Sequence, residues 1–481
     1  MKPTGPRLVE GAVTPMLLRM AAAMLVGFLA GAAFNLTDTW FIGRLGREPL
    51  AAMGYTLPVV MIVFGVVMAM GIGTTSLVAR TLGRGDAEGA RRVTLHALVL
   101  ALLLVGCTTI IGLLALRPIL AALGAEGVVQ DLAADYLQVW FAGTVFFVML
   151  VVGNAAIRGT GDMLLPSMIM VADLGLNIAL DPLFIFGPGP FPAWGMPGAA
   201  FATVLSRAVA LVASFYVLSR RRHMLAFGRR AWRGMLTTWR GIAHVALPVG
   251  LMHLLIPAFV ALMTALISAH GNAVVAAWAA GARLEQVAAA PLMALGTALV
   301  PFAGQNWGAG RADRVSAALK VAMRVCIIWG LCCALVAAVA HAAIAAAFVE
   351  DAEVRLWLEI HLLIVPVAFG LRGLIHAAAG TLNAIGEPWH ASALGVLGLV
   401  AIVLPLVLIG DALAGFPGLL GGLVVGTALH GALAILWARR RIANSPGGGA
   451  ARSPASGSAE HQPGRDTGGH TMGPPDDGPM V

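Results

Sequence analysis

The sequence predicts an all-α polytopic membrane protein: twelve transmembrane helices in two parallel six-helix lobes. Three observations predict it. Apolar runs of 18 or more residues recur along the chain, each long enough to cross a hydrocarbon core of about 30 Å as a helix. Only 11% of the 481 residues are charged and 59% are hydrophobic, whereas soluble domains carry roughly 25% charged residues. The chain also matches itself at a constant offset, so its halves read as repeats.

In lipid every backbone amide needs a partner within its own segment, so runs of this length are helices. The alternation of a transmembrane barrel is absent. The first span is expected near 16–42 and ends at GRLGRE; the second, 52–78, gives way to ARTLGRGDAEGARR. The third, 93–116, stops at Arg117-Pro118, the fourth, 136–157, at RGTGD, and the fifth, 163–186, at Gly187-Pro188. The sixth, 197–218, follows FPAWG and runs into SRRRH. The seventh, 243–269, stops at His270-Gly271-Asn272; the eighth, 273–299, leads to VPFAGQNWGAGRADR. The ninth, 322–348, ends at an acidic VEDAE; IGEP parts the tenth, 356–380, from the eleventh, 390–409. GFPG then parts the eleventh from the twelfth, 419–437. Gly and Pro punctuate these boundaries as breakers do. The first run is too long for a cleavable signal peptide.

The repeat offset is 225, from 308 − 83. It lays Gly83 and Gly85 on Gly308 and Gly310, Gly161-Asp162 on Gly386-Glu387, Phe191-Pro192 on Phe416-Pro417, and Gly46 on Gly271. Matches at one offset in four loops mark two six-helix halves. An even number of spans per half gives both the same orientation, with a pseudo-twofold axis along the membrane normal. The expected organisation is an N-terminal lobe at 1–218, an arginine-rich cytoplasmic linker at 219–242, a C-terminal lobe at 243–441, and a disordered cytoplasmic tail at 442–481. The tail is Gly, Pro, Ser and polar residues, unable to bury a core.

Loop charge orients the chain. The linker holds seven arginines, the loop after span eight holds Arg311, Arg314 and Lys320, and RRR closes span twelve. Opposite loops hold only Arg44, Arg47, Arg117 and Arg355, with Glu126, Asp131, Glu350, Asp351 and Glu353 among them. Both termini are therefore expected to be cytoplasmic. This bias explains the net charge of +8 without nucleic acid. Cys107, Cys326, Cys332 and Cys333 lie in apolar runs and show neither a disulfide framework nor metal spacing.

The stretch NLTDTWFIG places Asp38 inside the first span. At 1.5 Å rise per residue it lies roughly 8 Å below the outer end, and Asp181 and Thr203 lie roughly 9 Å below theirs. Tyr136 starts the fourth span from the same side. Asp173, Asn177 and Asp181 are spaced by four and share a helix face. A charge at this depth is costly, and such residues mark ion or proton pathways. Adding 225 to Asp38, Asn177 and Asp181 gives Met263, Ile402 and Leu406, so the acidic site belongs to the N-terminal half alone. Asp38, Tyr136, Asn177, Asp181 and Thr203 are the expected ion-coupling residues; Asp38 and Asp181 would ligate the ion if it is sodium.

NLTDTWFIGRLGREPLAAMGY, GIGTTSLVARTLGRGDAEGARR, RGTGDMLLP, NIALDPLFIFG, GAAFATVLS and VPFAGQNWGAGRADR occur in order. Together they resemble the multidrug and toxic compound extrusion (MATE) family over about residues 10–440, most closely its DNA-damage-inducible F-like (DinF-like) branch. The resemblance implies an inner-membrane antiporter, functional as a monomer, that exports organic and often cationic compounds in exchange for protons or sodium ions. It implies that the acidic network is the one just described. The other bacterial branch carries a glutamate in the seventh span, which here has no acid. Family accounts of proton coupling bend the first helix at a proline. This chain has none between Pro15 and Pro49, leaving Gly27 and Gly31 as its soft points.

Other intramembrane ionisable residues are Arg207, His253, Arg283, Glu285, Arg372 and His376. Asn35, Asp173, Arg283, Glu285 and Arg372 are candidates for the substrate cleft, and interhelical pairing is the competing expectation for the arginines and glutamate. An arginine-lined cleft would favour anionic cargo. A lipid-linked oligosaccharide flippase of the same superfamily is the alternative function. No Walker loop, nucleophile elbow or metal cluster points to an enzyme, and no cofactor is expected beyond the coupling ion, H+ or Na+.

Overall fold

The computed structural model describes residues 8–190 and 192–444, and every regular element among them is helical. The expected tail lies outside the described residues, apart from 442–444, which continue a helix. The helices are α1 (Val13–Gly43), α2 (Arg47–Gly83), α3 (Ala87–Ala122), α4 (Gly127–Gly159), α5 (Leu164–Phe186) and α6 (Met196–Tyr216), then α7 (Met235–Ser268), α8 (Asn272–Gly308) and α9 (Ala312–Phe348). The last four are α10 (Ala352–Ile364), α11 (Phe369–Ile385), α12 (Pro388–Leu397) and α13 (Leu404–Asn444).

Eleven helical stretches are long and apolar enough to cross a membrane, and the last, Pro388–Asn444, contains two of the expected spans. They part at Ala414 and Gly415, whose backbone leaves helical geometry within the GFPG turn. The tenth span is α10 and α11 joined by a 3-10 turn at Val365–Ala368; Pro366 lacks the amide that an unbroken helix would use. Most helices outrun the apolar windows, because a helix continues beyond the hydrocarbon where hydropathy falls. Thus α7 starts at Met235, inside the arginine-rich segment. That segment is pinned to α3: His96 contacts the Ala231 carbonyl through Nε2 at 2.7 Å and Thr238 Oγ1 through Nδ1 at 3.0 Å.

The repeat is visible in backbone geometry. Gly46 and Gly271 have φ of 124° and 103°, Gly85 and Gly310 80° and 74°, and Gly161 and Gly386 95° and 91°. All lie in the left-handed region that glycine enters freely. The two halves meet where α2 crosses α8. A Cβ added at Gly83 would lie 2.1 Å from the Gln305 carbonyl oxygen, and one at Gly308 would lie 2.2 Å from that of Arg80. Arg80 and Gln305 are themselves 225 apart, so the two contacts are one contact seen from each half, as a twofold operation requires. Ala79 and its repeat mate Gly304 touch each other on the axis.

Polar contacts tighten this end. Ser76 Oγ donates to the Asn383 carbonyl at 2.6 Å, and Gln305 Nε2 to that of Gly159 at 2.9 Å. Arg314 holds the segment before α1, donating to the carbonyls of Gly11 at 2.8 Å and Leu8 at 3.1 Å. The first helix of each half reaches across. Leu17, Met20 and Met24 of α1 join a buried cluster with Leu292, Leu295 and Leu299 of α8. Reciprocally, Val245 and Val249 of α7 pack on Ala69 of α2. Beyond this crossing α1 returns to its own half, with Gly27 against Ser167 and Met170 of α5.

Gly83→Val should force α2 and α8 apart. Cysteines introduced as Ser76→Cys and Asn383→Cys should cross-link readily in the parent and poorly in Gly83→Val. Equal cross-linking in both would show that the close approach does not hold this end shut.

Candidate functional site

In the first lobe, Gly198 brings the start of α6 against the α5 backbone: a Cβ there would lie 2.1 Å from the Phe184 carbonyl oxygen. This approach puts Thr203 beside Asn177. The Asn177 amide donates to Asp181 Oδ1 at 3.1 Å and to Thr203 Oγ1 at 3.4 Å. Asp38 from α1 and Tyr136 from α4 close the pocket, and all five residues are buried, 4% exposed or less. Asp38, Asp181 and Tyr136 lie within electrostatic reach of one another. The five expected ion-coupling residues thus lie together in one buried cluster. Asp38 Oδ1, Asn177 Oδ1 and Asp181 Oδ2 are buried acceptors with no hydrogen-bond donor among the described residues. Oxygens of this kind suit a proton or a sodium ion, since a hard cation takes carboxylate, amide and hydroxyl oxygens.

Asn35 lies elsewhere: it is exposed and donates back to the Gly31 carbonyl at 3.1 Å. Asp173, half-buried, interacts with Arg207 rather than with the pair above it. Arg207 is the member of this neighbourhood that sequence reading left unplaced. Its guanidinium sits 5.3 Å from the Phe34 ring centroid and 4.4 Å from that of Phe147. Its charged or ionisable neighbours are Asp173, Tyr136 and Asp38. The only sequence signal was an arginine in an apolar run.

The second lobe holds a different constellation. Buried Glu285 on α8 binds the His361 Nε2 at 3.0 Å and pairs with Arg372 of α11. Trp278 packs edge-on against the His361 ring with centroids 5.5 Å apart. Arg283, two residues from Glu285, is exposed and stays outside this triad. Glu285 and Arg372 therefore satisfy one another between helices. His361 was not singled out in the sequence, although it is the 225-offset mate of Tyr136. The mates of the N-lobe acids are apolar, and Met263 sits in a buried cluster with Val403 and Val407. His253 makes a local bond to the Val249 carbonyl at 2.9 Å and packs on Gly65 of α2. Among the described residues no group of three His, Cys, Asp or Glu could hold a metal, and all four cysteines are free thiols.

The MatE family model matches residues 14–183 and 248–409, more than half of the chain. The chain belongs to the MATE family. An FAD transporter of Shewanella oneidensis is 34% identical over 433 residues, 90% of this chain and 96% of that protein. The multidrug export protein MepA of Staphylococcus aureus is 25% identical, covering 87% of this chain and 92% of its own. The crystal structure of the Vibrio cholerae MATE transporter VcmN in its bent form superposes with a TM-score of 0.86 at 30% identity, covering 90% of this chain and 97% of that one. MATE proteins are membrane transporters of small molecules, not enzymes, and the twelve-helix, two-lobe plan described above is theirs.

The two lobes of this MATE transporter thus carry opposite kinds of polar cluster. The first is acid-rich with unshared oxygens; the second is an acid closed off by a base on each side. Removing one partner of a buried ion pair strands the other, so Glu285→Ala should lower stability by roughly 3–5 kcal/mol. Glu285→Gln, which still accepts from His361 and Arg372, should cost less. Thermal melting in detergent measures both; a parental melting temperature for Glu285→Ala would contradict the pairing.

Proposed function

We propose that this MATE transporter is a secondary antiporter of the DinF-like branch. It exports small organic molecules across the inner membrane in exchange for protons or sodium ions, by alternating access. The observation that carries this reading is the cluster of buried acceptor oxygens on Asp38, Asn177 and Asp181 that no donor among the described residues satisfies. Two carboxylates in a low-dielectric pocket repel each other and lose hydration; a bound proton or sodium ion relieves both costs. Releasing the ion restores them, and that difference is the free energy available to bias the two access states. Tyr136 and Thr203 supply further oxygens; Asn177 orients Asp181.

The substrate reading favoured here is a flavin dinucleotide or a similar organic anion. It is supported by the 34% identity to a relative named FAD transporter. Export of cationic drugs is the second reading, supported by the similarity to MepA. A flippase needs cations free in its cleft, and that reading weakens because Arg372 is engaged by Glu285. The transporter works as a monomer in the bilayer, with both termini and the 219–242 linker cytoplasmic. The tight α2–α8 end is then the inner gate.

The coupling role is tested in reconstituted vesicles by imposing sodium and proton gradients separately. Asp38→Asn should fold, keep its hydrogen-bonding capacity and lose gradient-driven efflux to background; Asp181→Asn should follow it, and Thr203→Ala should be milder. Wild-type efflux from Asp38→Asn under the same gradient would remove Asp38 from the mechanism. Orientation is tested with an impermeant thiol reagent on intact cells. Arg230→Cys should be protected and Trp194→Cys labelled, and the reverse pattern would invert the topology.

A further inference from the structure

Arg207 is half-buried within a membrane span and makes no hydrogen bond or ion pair among the described residues. Its fixed contacts are aromatic: Phe34 of α1 at 5.3 Å and Phe147 of α4 at 4.4 Å from the ring centroids. Rings attract a guanidinium through its face. Its five N–H donors lie in the guanidinium plane, so the rings hold the charge in place and leave that fork for another partner. The groups that face it are Asp38 of α1, Tyr136 of α4 and Asp173 of α5, none of them within ion-pair distance.

Two further features suggest what the fork receives. Arg207 lies one helical turn beyond Thr203 on α6, about 6 Å along the axis, so it sits next to the coupling pocket and outside it. Phe64 of α2 stacks on Phe147 with centroids 6.0 Å apart and planes 15° apart, and it remains 41% exposed. A guanidinium clamped beside a row of aromatic faces matches a ligand that joins a flat ring system to phosphate oxygens, because a planar fork binds phosphate through two parallel hydrogen bonds.

We propose that Arg207 is the anion-binding residue of the substrate site, receiving phosphate oxygens of an aromatic nucleotide-type substrate whose ring stacks on the exposed Phe64, itself backed by buried Phe147. This rests on the flavin dinucleotide reading above and assigns its specificity to one side chain. Asp173 and Asp38 are the competing anions, so the arginine discriminates by charge and the rings by shape. A substrate with the same ring system and no phosphate gains only from the stack.

The test uses purified full-length protein in detergent and in vesicles, with FAD and uncharged riboflavin as paired probes. Wild type should bind FAD more tightly than riboflavin by about tenfold or more, the worth of one charge-assisted hydrogen bond. Arg207→Gln should bring the two affinities together, chiefly by weakening FAD. Arg207→Lys should retain part of the preference, since it keeps the charge and loses the fork. Asp173→Asn leaves the arginine in place and removes a competitor, so it should tighten FAD and leave riboflavin unchanged. A folded Arg207→Gln with the wild-type ratio overturns the assignment while the transport reading stands. Should that variant not fold, unchanged or weakened FAD binding by Asp173→Asn overturns it. Wild-type vesicles that do not transport FAD overturn the substrate reading itself, and the assignment with it.

Discussion

Everything else in this molecule is arranged around the crossing of α2 and α8. Two helices can approach to backbone contact only where side chains are absent, and Gly83, Gly304 and Gly308 provide that. Without a hydrophobic drive between helices in lipid, close van der Waals packing of small residues holds them together. The crossing places the pseudo-twofold axis and brings Ser76 and Gln305 to backbone carbonyls of the opposite half, those of Asn383 and Gly159.

Onto this symmetric frame the chain writes asymmetric chemistry. At the position where the first lobe has Tyr136 the second has His361, and Phe147 corresponds to Arg372 at the same offset. In the first lobe Arg207 rests on the Phe34 and Phe147 rings and makes no ion pair with the acids among the described residues. In the second, Glu285 is in contact with both its bases. A cluster whose charges are already satisfied has little to gain from an incoming ion, whereas one with unshared oxygens gains much. The difference between the lobes is therefore a difference in electrostatic completeness rather than in depth or burial.

Much of this was legible in the sequence. Span number, the 225-residue repeat and the shared face of Asn177 and Asp181 follow from length, glycine placement and helical spacing, all of which are local or periodic. Hydropathy marked the apolar windows but not the helix ends, because helices such as α7 run on into segments where arginines lower the average. The contacts that could not be read join distant positions without periodicity: Glu285 to His361 and Arg372, and Arg207 to Phe34 and Phe147. An arginine in an apolar run announces that it must have company, and only the fold says whose. The absence of proline in α1 beyond Pro15 in its first turn was legible too; α1 is a continuous helix from Val13 to Gly43.

The reciprocal reach of α1 onto α8 and α7 onto α2 has a consequence for how the halves can move. Each half lends its leading helix to the other, as two subunits do when they swap arms. The molecule is in this sense a covalently tethered arm-exchanged pair. Its halves cannot part as separate bodies, because each leading helix is anchored in both. Any rocking of one half must bend, slide or release an exchanged arm, so the arms rather than the loops set the stiffness of the transition. In α1 the arm that would have to yield is also the one that carries Asp38, which ties the mechanical hinge and the buried charge to a single helix.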